Sequence, residues 1–189
     1  MAQNKVTFGL SNAHYALITE GPNGEITYGE PVRLPGAVSL TLEPKGEQAD
    51  FYADNLVYYT TSANQGYDGT LEVALLTEEF RTEVLGETLT GTDNVFSESA
   101  NANPKKIALL FEFDGDVKAT RHLLTNVSVS RPGLNAATKT ESTEPGTGEL
   151  SFVAGPRPSD YVIKLSTGST TTEAVYNSWY TAVYTPTGA

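Results

Sequence analysis

The stretch "LLFEFDGDVKATRHLL", residues 109–124, alternates apolar and polar positions on both sides of an Asp-Gly pair. Alternation of period two marks a strand with one face turned to a core, and Asp-Gly is a pair that tight primed turns favour, so the stretch predicts an antiparallel hairpin. It also gathers Glu112, Asp114, Asp116 and His122, which invites a competing reading as a catalytic or metal cluster. The step from Asp116 to His122 matches no standard metal-ligand spacing, and the calcium-loop pattern D-x-[DN]-x-[DN]-G is absent. The hairpin is the preferred reading, with the acids as turn and surface chemistry.

The same pattern recurs outward from this point. Alternating segments stand at 5–10, 13–19, 25–29 and 32–44, with "GPNG" (21–24) a turn signal between two of them. Within 32–44, Val38, Leu40 and Leu42 are predicted to face one way and Ser39, Thr41 and Glu43 the other, while Pro35-Gly36 suggests a bulge or an edge. Further strands are predicted at 48–60, 69–76, 105–113, 117–131, 138–143, 149–154 and 161–165. This spacing is that of an all-β domain.

Two segments read as helix. In "TEEFRTEVLG" (77–86), Thr77 is a cap, Glu78 and Glu79 suit the positive helix end, and Gly86 is a terminator, which puts Leu76, Phe80 and Val84 on one face to dock the helix. In "TTEAVYNSWYTAVY" (171–184), Val175, Trp179 and Val183 recur every four residues, although the composition also suits a strand. Two long polar stretches, 44–55 and 86–105, exceed an ordinary connection and are predicted to carry contacts or function.

The chain's 189 residues suit a single domain with a sizeable core. Twelve basic against 23 acidic residues give a net charge of -11, which repels phosphate backbones and argues against nucleic-acid binding. With no cysteine, thiol chemistry, disulfides and cysteine-type zinc sites are excluded. The start "MAQNKVTFGL" has no signal-peptide core and no apolar run suits a membrane span, so a soluble chain made in the cytoplasm is expected.

The chemistry of the remaining residues is sparse. No G-x-S-x-G elbow, phosphate loop, H-E-x-x-H helix or dinucleotide fingerprint is present. His14 lies within a predicted strand and reads as a half-buried residue with one ring nitrogen bonded. The aromatic run "FYADNLVYYTT" (51–61) reads as sheet core or a subunit interface, with a sugar-stacking platform as the rival.

The order of "LPGAVSLTLEP", "FYADN", "YYTTSANQGYDGTLEVALLTEEFRTEVLGE", "ALLFEFDGDVKATRHLL", "SRPG" and "VYNSWYTAVY" resembles the major tail protein of long-tailed, non-contractile phages of Gram-positive bacteria. The resemblance runs from Lys5 to about Tyr184, and the chain ends at "TPTGA" without room for the extra immunoglobulin-like domain that some relatives carry. It implies a β-sandwich or barrel of the tail-tube type with a flanking helix, hexameric rings stacked head to tail, a place in the virion tail, and no enzymatic activity or cofactor. It also implies, as partners, a tape-measure protein, a tail terminator and a distal tail protein, with DNA passing through unbound and no membrane. The alternatives are a carbohydrate-binding or carbohydrate-cleaving β-sandwich and another tail component, at the tube end or baseplate. In a tube, carboxylates on the polar strand faces are expected to line the lumen, with Glu43, Asp50, Glu72 and Glu112 as first candidates.

Overall fold

The computed structural model describes residues 3–22, 24–134, 138 and 146–186. Strands β1 (Thr7–Glu20), β2 (Ile26–Tyr28), β3 (Val32–Arg33), β4 (Ala37–Lys45), β5 (Gln48–Ala53), β6 (Leu56–Ser62) and β7 (Gly66–Val73) precede helix α1 (Glu78–Glu83). Then follow β8 (Thr88–Thr90), β9 (Val95–Ser97), β10 (Ile107–Gly115), β11 (Thr120–Val129), β12 (Gly148–Gly155), β13 (Lys164–Ser166) and α2 (Glu173–Ser178). The protein is mainly β with two short helices, as the alternation predicts.

One antiparallel sheet dominates, in the order β2-β1-β10-β11-β12-β7-β4, with β3 added to β1 and β13 to β11. β1 and β4 approach each other from far along that path, so the sheet curls around its core like an open barrel. β10 lies between β1 and β11 and is buried on both faces over its first six residues. Ile107, Leu109 and Phe111 point into the main core with Leu71, Val73, Leu124, Leu150 and Phe152, whereas Ala108 and Leu110 meet a second core closed by Trp179.

Helix α1 seals the main core as its sequence predicts. Thr77 Oγ1 accepts from Phe80 N at 3.2 Å, Gly86 adopts φ +77° just past the helix, and Glu87 N donates back to Arg81 O at 3.1 Å. Phe80 and Val84 are fully buried and Leu76 packs against them, so the three predicted docking residues share one apolar seat. Tyr15 meets Phe80 edge to face at 5.0 Å.

Several boundaries differ from expectation for identifiable reasons. Segments 5–10 and 13–19 form one strand, because bulges at Gly9 and Asn12, both at positive φ, absorb the break between them. Val38 is exposed rather than core-facing: a register shift between Ala37 and Ser39 makes it the extra residue of a bulge. The expected helix at 171–184 is helical only over Glu173–Ser178, yet Val175, Trp179 and Val183 do share one packed face. The predicted strand at 161–165 is reduced to β13, after Tyr161 at φ 58°. The strand expected at 138–143 lies, but for Thr138, outside the described residues.

Gly115 does not make the primed turn expected of it. It ends β10, and residues 116–119 turn the chain, closed by Asn4, whose Oδ1 accepts from Val117 N and Lys118 N at 3.1 and 3.0 Å. A Cβ on Gly115 would collide with the Asn4 side chain, which is why glycine suits the position. The polar stretches 44–55 and 86–105 are not plain loops either. The first contains β5, one strand of the hairpin β5–β6, and the second contains both strands of the small hairpin β8–β9.

Candidate interaction surfaces

The hairpin β5–β6 forms a sheet of its own that prolongs the β4–β7 ladder beyond the Lys45–Gly66 pair. Gln65 N donates to Lys45 O at 2.8 Å and Ala63 N to Glu47 O at 3.1 Å, so ladder and hairpin make one continuous ribbon. The two chains draw so close at Gly46 that a Cβ there would collide with the Ala63 carbonyl oxygen. At the tip, Asp54 and Asn55 both adopt positive φ, 52° and 61°, which is the geometry of a type I′ turn.

The outer half of this ribbon, residues 46–65, is an arm that the other described residues leave uncovered. Every residue of β6 is exposed, as is every residue of β5 but Ala53. Register puts Ala49, Phe51, Ala53, Leu56, Tyr59 and Thr61 on one face and Gln48, Asp50, Tyr52, Val57, Thr60 and Ser62 on the other, with Tyr58 at a bulge. Thr60 Oγ1 donates to Asp50 Oδ1 at 2.7 Å across the polar face. On the apolar face Phe51, Leu56 and Tyr59 are 61%, 71% and 63% exposed. Covering each such side chain is worth about 1.5–3 kcal/mol, and an isolated two-stranded hairpin is marginal in water. The sheet-core reading of 51–61 is therefore overturned.

A second surface lies on the outer face of β4, β7 and β12. Its three rows are Ser39, Glu72 and Glu149; Thr41, Thr70 and Ser151; and Glu43, Asp68 and Val153. Two like-charged pairs, Glu72 with Glu149 and Glu43 with Asp68, stand directly opposite each other, an arrangement that costs stability. Lys45 offsets part of this at 3.2 Å from Asp68, with both side chains about half exposed. Thr147 and Ser39 donate to the Glu72 carboxylate at 2.5 and 2.8 Å and hold it below the usual carboxylate range. Among the described residues no group of three acidic or histidine side chains is placed to hold a metal ion.

Of the four acids expected to act together, Glu43 and Glu72 do share this face. Asp50 stands apart on the arm, and Glu112 is not on a solvated face at all. Its carboxylate is buried beneath the segment 173–184, where it accepts from Arg121 Nε at 3.1 Å, Tyr180 OH at 3.1 Å, Ser11 Oγ at 3.3 Å and the Asn12 amide. Arg121 donates in turn to Tyr176 O and lies 3.8 Å over the Tyr176 ring. Alternation gave the correct face for Glu112 but not what covers it. Glu112 is an internal anchor for α2, and the surface reading of the opening acids fails for it.

Both histidines serve packing. His14 Nδ1 donates to Asn12 O at 2.8 Å and its ring stacks on Tyr180 at 4.5 Å. Burial, with a smaller push from the Arg33 charge, holds His14 below its ordinary range, although the Asn12 carbonyl and Glu112 pull the other way. His122 stacks on Phe111 at 5.2 Å, and burial, then the Lys164 charge, lowers it to about 4.

Asp68 and Glu149, which complete the acidic face, escaped the sequence reading. The signal was present, since each occupies the polar phase of a strand whose other phase holds Leu71 and Val73 or Leu150 and Phe152. Comparison with protein-family models and with curated protein sequences finds no match for the chain.

Proposed function

We propose that the chain is the structural subunit of a phage tail tube, closing into hexameric rings that stack head to tail into a conduit for DNA. The observation that carries this reading is the arm: a hairpin whose apolar face no described residue of its own subunit covers. Such a face is matched to a partner, and for an assembling subunit the partner is another copy.

Two further features support the reading. Among the described residues β4 pairs only with β7, so its outer edge presents unpaired backbone groups on which a neighbouring copy can continue the sheet. The acidic rows of β4, β7 and β12 keep like charges adjacent at a cost in stability, which suits a wall past which DNA must slide without sticking. Ring number and the conduit itself come from the resemblance in sequence.

Electron microscopy of concentrated protein tests the proposal. Rings and tubes are expected, and dispersed monomers at every concentration, salt and initiator condition overturn it. The exposed Tyr52, Tyr58 and Tyr59 favour one rival, a sugar-stacking module, which predicts a stable monomer with a sugar-dependent tyrosine signal.

A further inference from the structure

The arm leaves the β4–β7 ladder at its Lys45–Gly66 end. At the opposite Ala37–Val73 end, eight β7 residues and so about 25 Å away, a groove of about 470 Å³ opens between α1, β8–β9 and the chain after β11. Its floor is apolar, formed by Leu75, Leu76, Leu85 and Phe96, and its rim carries Arg81 and Arg131 with Glu87 and Glu98. Leu75, two residues past the end of β7, is 78% exposed.

We infer that this groove is the seat for the arm of a second copy of the chain. Resting on the tail-tube reading, the inference names the two surfaces that meet between successive subunits. Three observations on the chain point to this occupant. First, the arm offers an exposed apolar row, Phe51, Leu56 and Tyr59, and the groove offers exposed Leu75 beside half-buried Leu76 and Phe96; among the described residues nothing covers the arm row or Leu75. Second, residues 46–65 hold three acids, Glu47, Asp50 and Asp54, and no cation. The groove rim carries two arginines, balanced by the lining glutamates Glu87 and Glu98, so an arm carboxylate would share or replace an existing partner of a half-exposed guanidinium. Arg81 lies 4.2 Å over the Phe96 ring and pairs with Glu87 at 2.6 Å, while Arg131 pairs with Glu98 at 3.0 Å, and the two arginine side chains stay 36% and 44% exposed. Third, arm and groove lie at opposite ends of the same ladder, so an arm cannot fold back into its own groove, and each docking repeats with the same polarity. A contact between two different surfaces of identical chains propagates rather than closing on a pair.

The close approach at Gly46 belongs to the same device. A side chain there would push the two strands of the ribbon apart at its root and re-aim the arm without touching either core.

The test uses complementary defects. Leu56→Asp spoils the arm and Leu75→Asp spoils the groove, and both sites are exposed, so each variant keeps the wild-type melting temperature. Each alone is expected to form no stacks, while an equal mixture joins the intact arm of one to the intact groove of the other and stops at a pair of layers. Because the chain has no cysteine, a Leu56→Cys, Leu75→Cys double variant adds a direct readout: disulfide-linked oligomers in oxidised assemblies, absent from either single variant. Wild-type tubes together with continued stacking of Leu75→Asp, or with no cross-link, overturn the seat and leave the tail-tube reading standing. Cross-linking of Leu56→Cys alone shows arm-to-arm contact and also overturns the seat. If the wild-type protein forms neither rings nor tubes, both readings fall.

Discussion

The hairpins β10–β11 and β5–β6 are written in nearly the same alternating code and end in opposite environments. β10 is buried on both faces, between the main core and the layer of Trp179 and Tyr180; β6 is exposed along its whole length. Their turns are exchanged as well. The Asp-Gly pair at 114–115 ends a strand, and the primed turn forms instead at Asp54-Asn55, where the twist of a free two-stranded ribbon demands it. Period-two patterning therefore fixes that a segment is a strand, and says nothing of whether its apolar face finds cover inside the same chain.

Three phenylalanine truncations give this difference its largest expression. Phe111→Ala empties a fully buried site in β10 and is expected to cost about 3–5 kcal/mol, as is Phe80→Ala beneath α1. Phe51→Ala, the same change in the arm, is expected to move subunit stability by under about 0.5 kcal/mol while weakening assembly. Thermal melting of the unassembled subunit measures all three. A large loss from Phe51→Ala would show that the arm folds back onto its own subunit.

Ion pairs in the two regions sharpen the contrast. Arg121 and Glu112 are 17% and 8% exposed, so Arg121→Ala leaves a buried carboxylate short of its charged partner, at a cost of about 2–3 kcal/mol. Lys45 and Asp68, at the root of the arm, are 44% and 54% exposed, and Lys45→Ala is expected to cost no more than about 0.5 kcal/mol. Denaturant titration at two salt concentrations separates them, because added salt weakens only the exposed pair.

Most of the strand order was legible because hydrophobic alternation is a local signal, and so were the α1 cap and the face of Leu76, Phe80 and Val84. The departures arise where a single backbone torsion decides. One extra residue at Val38 turns a predicted core side chain outward, and positive φ at Asn12 joins two predicted strands into one. Burial of Glu112 was illegible for a different reason. It depends on residues 173–184 folding back over β10, a contact between Glu112 and Tyr180, which stand 68 residues apart in sequence.

Acid acts on the central hairpin and spares the arm, since both histidines pack against β10 or its neighbours. A histidine lowered by burial binds fewer protons folded than unfolded, so its contribution is complete above pH 6.5 and is lost as pH falls through its folded value, about 4 for His122. The expected loss between pH 6.5 and 4 is about 1–2 kcal/mol for a ring partly screened by solvent. His122→Gln should flatten that slope in urea midpoints measured across the interval. An unchanged slope would assign the acid sensitivity to carboxylates instead.

The smallest effect belongs to the acidic face, and its sign is the informative part. Glu72 and Glu149 sit directly opposite each other on β7 and β12, and like charges so placed repel by a few tenths of a kcal/mol. Glu149→Gln keeps the shape and removes the repulsion, so it should raise subunit stability by about 0.2–0.5 kcal/mol, more at low salt than at high. A stabilising change this simple that the chain does not use suggests that the carboxylate serves the assembled state. With Glu43, Asp68, Glu72 and Glu149 all replaced by Gln, tubes should still form, because the substituted side chains touch neither core nor arm. On the proposed tail-tube reading DNA passage should slow, since a wall built on this face would no longer repel phosphate. Faster or unchanged ejection from such particles would reduce these acids to surface solubility and move the lumen to another face.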